Sequence, residues 1–319
     1  SSKFERSITI LKPILGLYNL NWVFINFTIF NIYFSVITLM NKIFIILISI
    51  LYASTSNAKD VSSFVGNLIP GEGLTEASIQ INEDDNPDIE ILAVRDLNSE
   101  EYSNTFTQFS LHSQETNGHD RIIGNLGFGY RKLSDDKSNL FGINAFIDND
   151  FEAEHQRASI GFEAKGAYLD LSINSYHALT NPKTYKGSKE EVLSGQTIDL
   201  ATQIPYAPWA KLNYQSYSWD NVKASTDTEG YSLGLETYLT PSLALELKND
   251  YNDSDAVDDE FTYKLTFVHP PRNDGKSMQD GFSNLAFEKQ NMESKLKDKV
   301  QRDNNIVIEI QGSVIITSK

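Results

Sequence analysis

Cysteine is missing from all 319 residues. Its absence excludes disulfide staples, thiolate catalysis and Cys-ligated zinc. It leaves the compartment open, because an exported protein needs no disulfide. Positive charge is scarce as well: 27 Lys and Arg stand against 43 Asp and Glu, a formal net charge of −16. No basic stripe is available to neutralise phosphates, which excludes nucleic acid as a partner. After Lys59 no apolar run is long enough to cross a bilayer as a helix. If the mature chain lies in a membrane, only a closed barrel can place it there. Aromatic residues, by contrast, are plentiful, with 15 Tyr and 18 Phe, which suits a sheet protein with interfacial rings.

Two apolar stretches precede Lys59. Residues 21–39 have, at face value, the composition of a membrane-spanning helix. Met40-Asn41-Lys42 then opens a short basic region, Ile43 to Ala53 is apolar, and Ser56-Asn57-Ala58 supplies small residues before Lys59. That is the pattern of a secretory signal peptide over 40–58, with its own initiator methionine and a cut between Ala58 and Lys59. Residues 1–39 then read as an upstream extension that the functional protein lacks. The other reading is an N-terminal membrane anchor followed by a second apolar stretch. Residues 59–74 form a short segment with a helical turn or two at Asp60–Leu68, broken by Pro70-Gly71-Glu72-Gly73.

The clearest pattern lies at Arg121–Asp150. Leu126, Phe128 and Tyr130 share one face, with Asn125, Gly127, Gly129 and Arg131 on the other. After a polar break, Phe141, Ile143, Ala145 and Ile147 oppose Gly142, Asn144, Phe146 and Asp148. Period-two alternation repeated across a turn is an antiparallel hairpin. The same alternation opposes Arg157 and Glu163 to Ile160 and Phe162, and Asp170 and Asn174 to Leu171 and Ile173. Further on, Glu236 opposes Leu235, Glu246 and Lys248 oppose Leu247, and Lys264 opposes Leu265. The strand count from Thr75 to His269 is twelve.

Alternate connections are tight, at Gly166, Pro205–Pro208 and Thr240-Pro241, whereas Asn149–Glu154, Thr180–Leu193, Asn221–Glu229 and Asn252–Asp258 are longer and polar or acidic. Short turns at one end and long loops at the other are the arrangement of outer-membrane barrels. A soluble sandwich also alternates. Mid-strand charges opposite an unbroken apolar stripe, export and the phase of the loop lengths favour the barrel, with the apolar stripe on lipid and the charged face lining a polar lumen. The lumen-facing candidates are therefore Asn125, Arg131, Asn144, Asp148, Arg157, Glu163, Asp170, Asn174, Glu236, Glu246, Lys248 and Lys264. Past His269-Pro270-Pro271, good helix formers over Phe282–Arg302 predict a polar helix in or under the lumen, and Ile306–Ile310 reads as extended.

Several segments in order carry a family likeness. They include Phe106-Thr107-Gln108, Asn125-Leu126-Gly127-Phe128-Gly129-Tyr130-Arg131 and Gly142-Ile143-Asn144-Ala145-Phe146-Ile147-Asp148-Asn149-Asp150. His155-Gln156-Arg157, Gly161-Phe162-Glu163, Tyr168-Leu169 with Leu171-Ser172, and Tyr238-Leu239-Thr240-Pro241 follow, and Val300 to Glu309 closes the series. The chain resembles the inverse autotransporter β-domain, the outer-membrane module of the intimin and invasin adhesins. The resemblance implies a twelve-stranded barrel and a segment after the last strand that threads the lumen to the cell surface. In the family that segment leads to an adhesive passenger. Here only Gln311 to Lys319 follow the motif, so the reading is a barrel without its passenger.

The chemistry of sites adds little. Asp148, Asp150 and His155 lie close in sequence but supply too few oxygens for calcium, so they read as a solvated loop. Gly275-Lys276-Ser277 imitates the end of a phosphate loop, but the upstream glycine position is Pro270. Some twelve-stranded barrels are phospholipases with Ser and His on the lipid face; His155 and His177 have serines nearby but no evident orienting acid. An aromatic end to the last strand, Tyr263 and Phe267, is a candidate signal for the assembly machinery.

The expectation is thus an all-β, 12-stranded antiparallel transmembrane barrel over 75–269, with linker helix and extended segment over 270–319. It serves as anchor and translocator, the alternative being a small porin-like channel. It uses no metal and no cofactor, and its partners are outer-membrane lipid, barrel assembly machinery and periplasmic chaperones.

Overall fold

The computed structural model describes residues 64–82, 87–223, 226–253, 259–272, 276–288, 292–310 and 313–315. The upstream extension, the signal peptide and its cut between Ala58 and Lys59 lie outside the described residues.

Alternation with short connections gives a meander, because each strand finds its partner in the one before it. The chain begins with β1 (Thr75–Asn82), β2 (Asp88–Ser99), β3 (Ser103–Thr116), β4 (His119–Leu133), β5 (Asn139–Asp150), β6 (Gln156–Gly166) and β7 (Leu169–Ala178). A small hairpin, β8 (Lys183–Tyr185) and β9 (Ser188–Val192), interrupts the series. The meander resumes with β10 (Gly195–Ile204), β11 (Ala207–Trp219), β12 (Thr228–Thr240), β13 (Leu243–Asn252) and β14 (Glu260–His269). β14 returns to β1, antiparallel, from Thr75↔His269 to Asn82↔Thr262. The result is a closed barrel of twelve strands, β8 and β9 standing outside it. Closure leaves no unpaired edge among these strands, the condition for a sheet in hydrocarbon.

The two ends differ as the loop lengths predicted. At one, here called the turn end, strands are joined through residues 100–102, 134–138, 167–168, 205–206 and 241–242. At the other, the loop end, the links are 83–87, 151–155, 179–194, 220–227 and 253–259. One loop-end link is tight: Asn117 (φ 54°) and Gly118 (φ 69°) join β3 to β4. An Asn-Gly pair with both φ positive is the preferred two-residue hairpin turn. Along β12 the register shifts between Tyr238 and Thr240, so the alternation slips by one residue at that bulge.

On the outer face of β4–β7, Leu126, Phe128, Ile143, Ile147, Ile160 and Leu169 are exposed. Facing partners in the register reinforce the stripe: Phe128↔Ala145, Tyr130↔Ile143 and Ile143↔Phe162. Tyr214, Tyr231 and Tyr251 form a stacked row, with centroids 6.1 and 5.0 Å apart. Phe267 departs from the pattern: alternation groups it with exposed Tyr263, yet it is buried.

Inside, the hairpin of β4 and β5 uses its glycines as floor. A Cβ on Gly127 would stand 2.4 Å from the Phe146 ring, and one on Gly129 would stand 2.3 Å from the Phe106 ring. Both rings are inward and buried, each lying across a neighbouring strand where no side chain rises. Gly129→Ala is expected to cost about 1–3 kcal/mol, the range for overpacking. In a double variant with Phe106→Leu the two costs fall short of their sum. Gly166→Ala, whose nearest atom is 3.5 Å away, should be close to neutral. Denaturant unfolding in detergent micelles measures all three.

Among the described residues the predicted helix over Phe282–Arg302 is not formed. A short 3₁₀ turn at Met278–Asp280 precedes the span and another lies within it at Ser294–Lys297, and the described residues are otherwise irregular until β15 (Ile308–Ile310) and β16 (Ser313–Ile315). Helix propensity at these residues is a preference of tenths of a kcal/mol per residue. It loses because side chains of the barrel wall take the backbone groups that a helix would pair internally.

Candidate functional site: a threaded lumen

That competition begins at the turn end. Leu296 and Met292 pack with Leu133 and Leu140, the inward residues flanking the β4–β5 turn. Arg131 Nη1 donates to the Leu296 carbonyl at 3.2 Å and to the Asp298 carbonyl, and Asn104 Nδ2 donates to Leu296 O at 3.2 Å. Arg131 is itself clamped by Glu163, at 3.1 and 2.9 Å, and its guanidinium lies 4.4 Å from the Phe106 ring centre. Lys299 reaches Glu76 at 2.8 Å.

Half-way through the barrel the contacts become denser. Val300 N donates to Gln108 Oε1 at 2.8 Å, and Asn174 Nδ2 donates to Gln301 O at 3.1 Å. Arg302 makes a two-point pair with Asp148, at 3.0 and 2.7 Å, with 0% side-chain exposure on both. Asp148 also accepts from Arg157 at 2.9 Å and from Asn125 at 2.8 Å. The Arg302 guanidinium lies 4.3 Å from the Phe146 ring centre. Arg157 donates to Asp303 O at 2.9 Å, and the Asp303 amide donates to Tyr176 at 2.8 Å. Asn125 Nδ2 donates to Asn304 O at 3.0 Å. A buried carboxylate between two guanidiniums is tolerable because each of the three groups is ion-paired and makes further hydrogen bonds, although Arg157 Nη1 and Arg302 Nε make none.

Toward the loop end, Gln114 and Ile306 exchange amide hydrogen bonds, each 3.3 Å. Ile306, Ile308 and Ile310 then pack with Ile123 and Val192. β15 pairs with β9, giving a second sheet of order β16-β15-β9-β8. The β8–β9 turn, Lys186 (φ 45°) and Gly187 (φ 91°), again has both φ positive. Glu190 on β9 joins Arg121 at 2.6 Å and His155 Nε2 at 3.0 Å, and Arg121 joins Asp150 at 3.1 Å. Burial works against the charge of Glu190, but the hydrogen bonds from His155 and Arg121 outweigh it and hold its carboxyl below the usual range.

Of the lumen-facing candidates, Asn125, Arg131, Asn144, Asp148, Arg157, Glu163 and Asn174 are buried. All but Asn144 bond to the threaded segment or to a residue that does. Asp170, Glu236, Glu246, Lys248 and Lys264 are half-buried and line a cavity of about 230 Å³ beside the segment, most of its wall residues lying on β10–β14. The segment's hydrogen bonds go mainly to β2–β7. Asp148 and Asp150, read with His155 as a solvated loop, are buried in ion pairs, and His155 is buried with its Nε2 3.0 Å from Glu190. Ser175 Oγ and His177 Nε2 are 3.4 Å apart on exposed side chains.

The alternation assigns no lumen role to Gln108 and Gln114, which hold the segment from the wall, to Arg302 and Asn304 on the segment itself, or to Glu190, which ties the hairpin to the wall. A signal existed for the first two: buried Asn104, Gln108, Gln114 and Thr116 recur at even spacings along β3.

A family model for "Inverse autotransporter, beta-domain" matches residues 53–304. Intimin of Escherichia coli O157:H7 is 28% identical over 211 residues, 62% of this chain and 22% of intimin. The inverse autotransporter adhesin YeeJ of E. coli K12 is 26% identical over 222 residues, 66% of this chain and 9% of the adhesin. Invasin of Yersinia enterocolitica is 25% identical over 216 residues, 65% of this chain and 25% of invasin. The matches thus span a quarter or less of these three proteins. A solved structure described under "Unveiling the Mechanism Behind the in-meso Crystallization of Membrane Proteins" shares the fold, with TM-score 0.59 and 19% identity over 75% of this chain and 100% of that one.

Proposed function

The chain belongs to the inverse autotransporter β-domain family, outer-membrane barrels of the intimin and invasin type, and from that premise we propose that it anchors and exports its own C-terminal segment. On this reading the turn end faces the periplasm and the loop end the cell surface. The signal peptide over 40–58 delivers the chain to the periplasm, where chaperones hold it. The assembly machinery inserts it, reading the closing strand at Tyr263 and Phe267. Residues 75–269 form the anchor, and residues 270–319 the linker that passes outward.

The observation that carries the proposal is the Arg302–Asp148–Arg157 cluster, because Arg302 lies on the linker and its two partners lie on the wall. The mechanism is physical. The barrel removes the backbone from lipid, and inward arginines, amides and carboxylates give an extended chain partners at each level of the lumen. The outgoing segment then finds hydrogen-bond partners on the wall for the backbone groups of Leu296, Asp298, Val300, Gln301, Asp303, Asn304 and Ile306.

The cavity of about 230 Å³ supports a second reading, a small porin-like channel. Planar-bilayer recording separates the two. The anchored-linker reading expects the full chain to be nearly silent and a chain lacking residues 282–319 to conduct steadily. Steady conductance by the full chain would favour the channel.

A further inference from the structure

We propose that the loop end carries a two-part exit clamp that fixes the register of Val307–Ile310: the edge of β9 takes the segment as a strand, while the backbone amides of Val222 and Lys223 hold the Glu309 carboxylate. The inference rests on the threaded reading and assigns a recognition site to two surface loops.

The first part is strand addition, in which main-chain bonds supply affinity and alternate side chains supply specificity. Leu193 N donates to Val307 O at 3.0 Å, and the register continues as Ile308↔Val192, Glu309↔Glu191 and Ile310↔Glu190. Ile308 and Ile310 enter the apolar cluster with Val192 and Ile123. β9 is itself fixed to the barrel, since Glu190 is buried against Arg121 and His155.

The second part comes from the loop between β11 and β12. Glu309 is completely buried, and it accepts from Val222 N at 2.8 Å and from Lys223 N at 3.1 Å. Consecutive amides aimed at one carboxylate make charge-assisted bonds, stronger than neutral ones. Because strand side chains alternate, a one-residue slip would push Glu309 into the isoleucine cluster and set an isoleucine against the amides. The two loops therefore read a single register of the outgoing chain and oppose its sliding back.

The absence of cysteine makes engineered pairs unambiguous. Val192→Cys with Ile308→Cys tests the clamp, because non-hydrogen-bonded facing positions bring side chains close. Gln108→Cys with Val300→Cys tests threading half-way down the lumen. Both pairs are expected to be joined by a short thiol-to-thiol reagent in the full chain in outer membranes. Glu309→Ala should speed amide exchange at Val307–Ile310 about tenfold or more, the scale of a lost charge-assisted bond, while exchange at Val300 is unchanged. A cross-link at the mid-lumen pair without one at the exit pair, or exchange unaffected by Glu309→Ala, overturns the clamp and leaves threading standing. Failure of both pairs overturns the threaded reading and the clamp with it.

Discussion

Asp148→Ala should lower the unfolding free energy by about 3–5 kcal/mol, the cost of leaving a buried charge uncompensated. The carboxylate stands between Arg302 on the linker and Arg157 on β6, all with 0% side-chain exposure. Removing it takes away the one carboxylate to which both guanidiniums are directly paired. Arg302→Ala should cost less, about 1–3 kcal/mol, because Asp148 keeps Arg157 and Asn125. The double variant should be milder than the sum of the singles, since deleting Arg302 removes one of the two stranded charges. Denaturant unfolding in detergent or in lipid vesicles gives the three values. A near-neutral Asp148→Ala would mean that water screens the cluster and that the linker is not held there.

Ile143→Arg should cost about 2–4 kcal/mol in a bilayer, the range for a cationic residue on the lipid face near the midplane. Ile143 is 61% exposed, and its register partners Tyr130 and Phe162 are exposed too. On a protein in water the same change at an exposed site would lie within about 0.5 kcal/mol. The size of the effect therefore separates lipid contact from a wet surface. The folded fraction in vesicles, read from the heat-dependent mobility of folded barrels on gels, measures it. A neutral result would place this face in water.

The barrel was legible because its signal is repeated. The alternation from Phe141 to Asp148 falls within β5, and an even strand count with alternating loop lengths points to closure. The same alternation sets Arg131, Asp148, Arg157 and Glu163 opposite an apolar stripe, and these four side chains are buried. The linker was not legible. Its good helix formers predict a helix, yet Met292 and Leu296 cluster with Leu133 and Leu140 of the wall, and Val300 with Phe106 and Phe146. A helix is argued from its own residues, whereas this segment takes its conformation from Arg131, Gln108 and Asn174, which lie 120 residues or more away in sequence. The β8–β9 hairpin was passed over because its turn is Lys-Gly, a weaker signal than the Asn-Gly of β3–β4. Buried His155 was read as solvated because its partner, Glu190, lies in the next long loop.

The hairpin of β4 and β5 first shows only two strands with one polar face. The structure gives that face its use: glycines make room for Phe106 and Phe146, the rings support Arg131 and Arg302, and the arginines hold the passing chain and the wall together. The most direct test of that account is the sidedness of the chain's end. An epitope tag placed after Lys319 should be labelled on intact cells by a reagent that does not cross the outer membrane. Labelling that appears only after the outer membrane is permeabilised would contradict passage of the linker through the lumen.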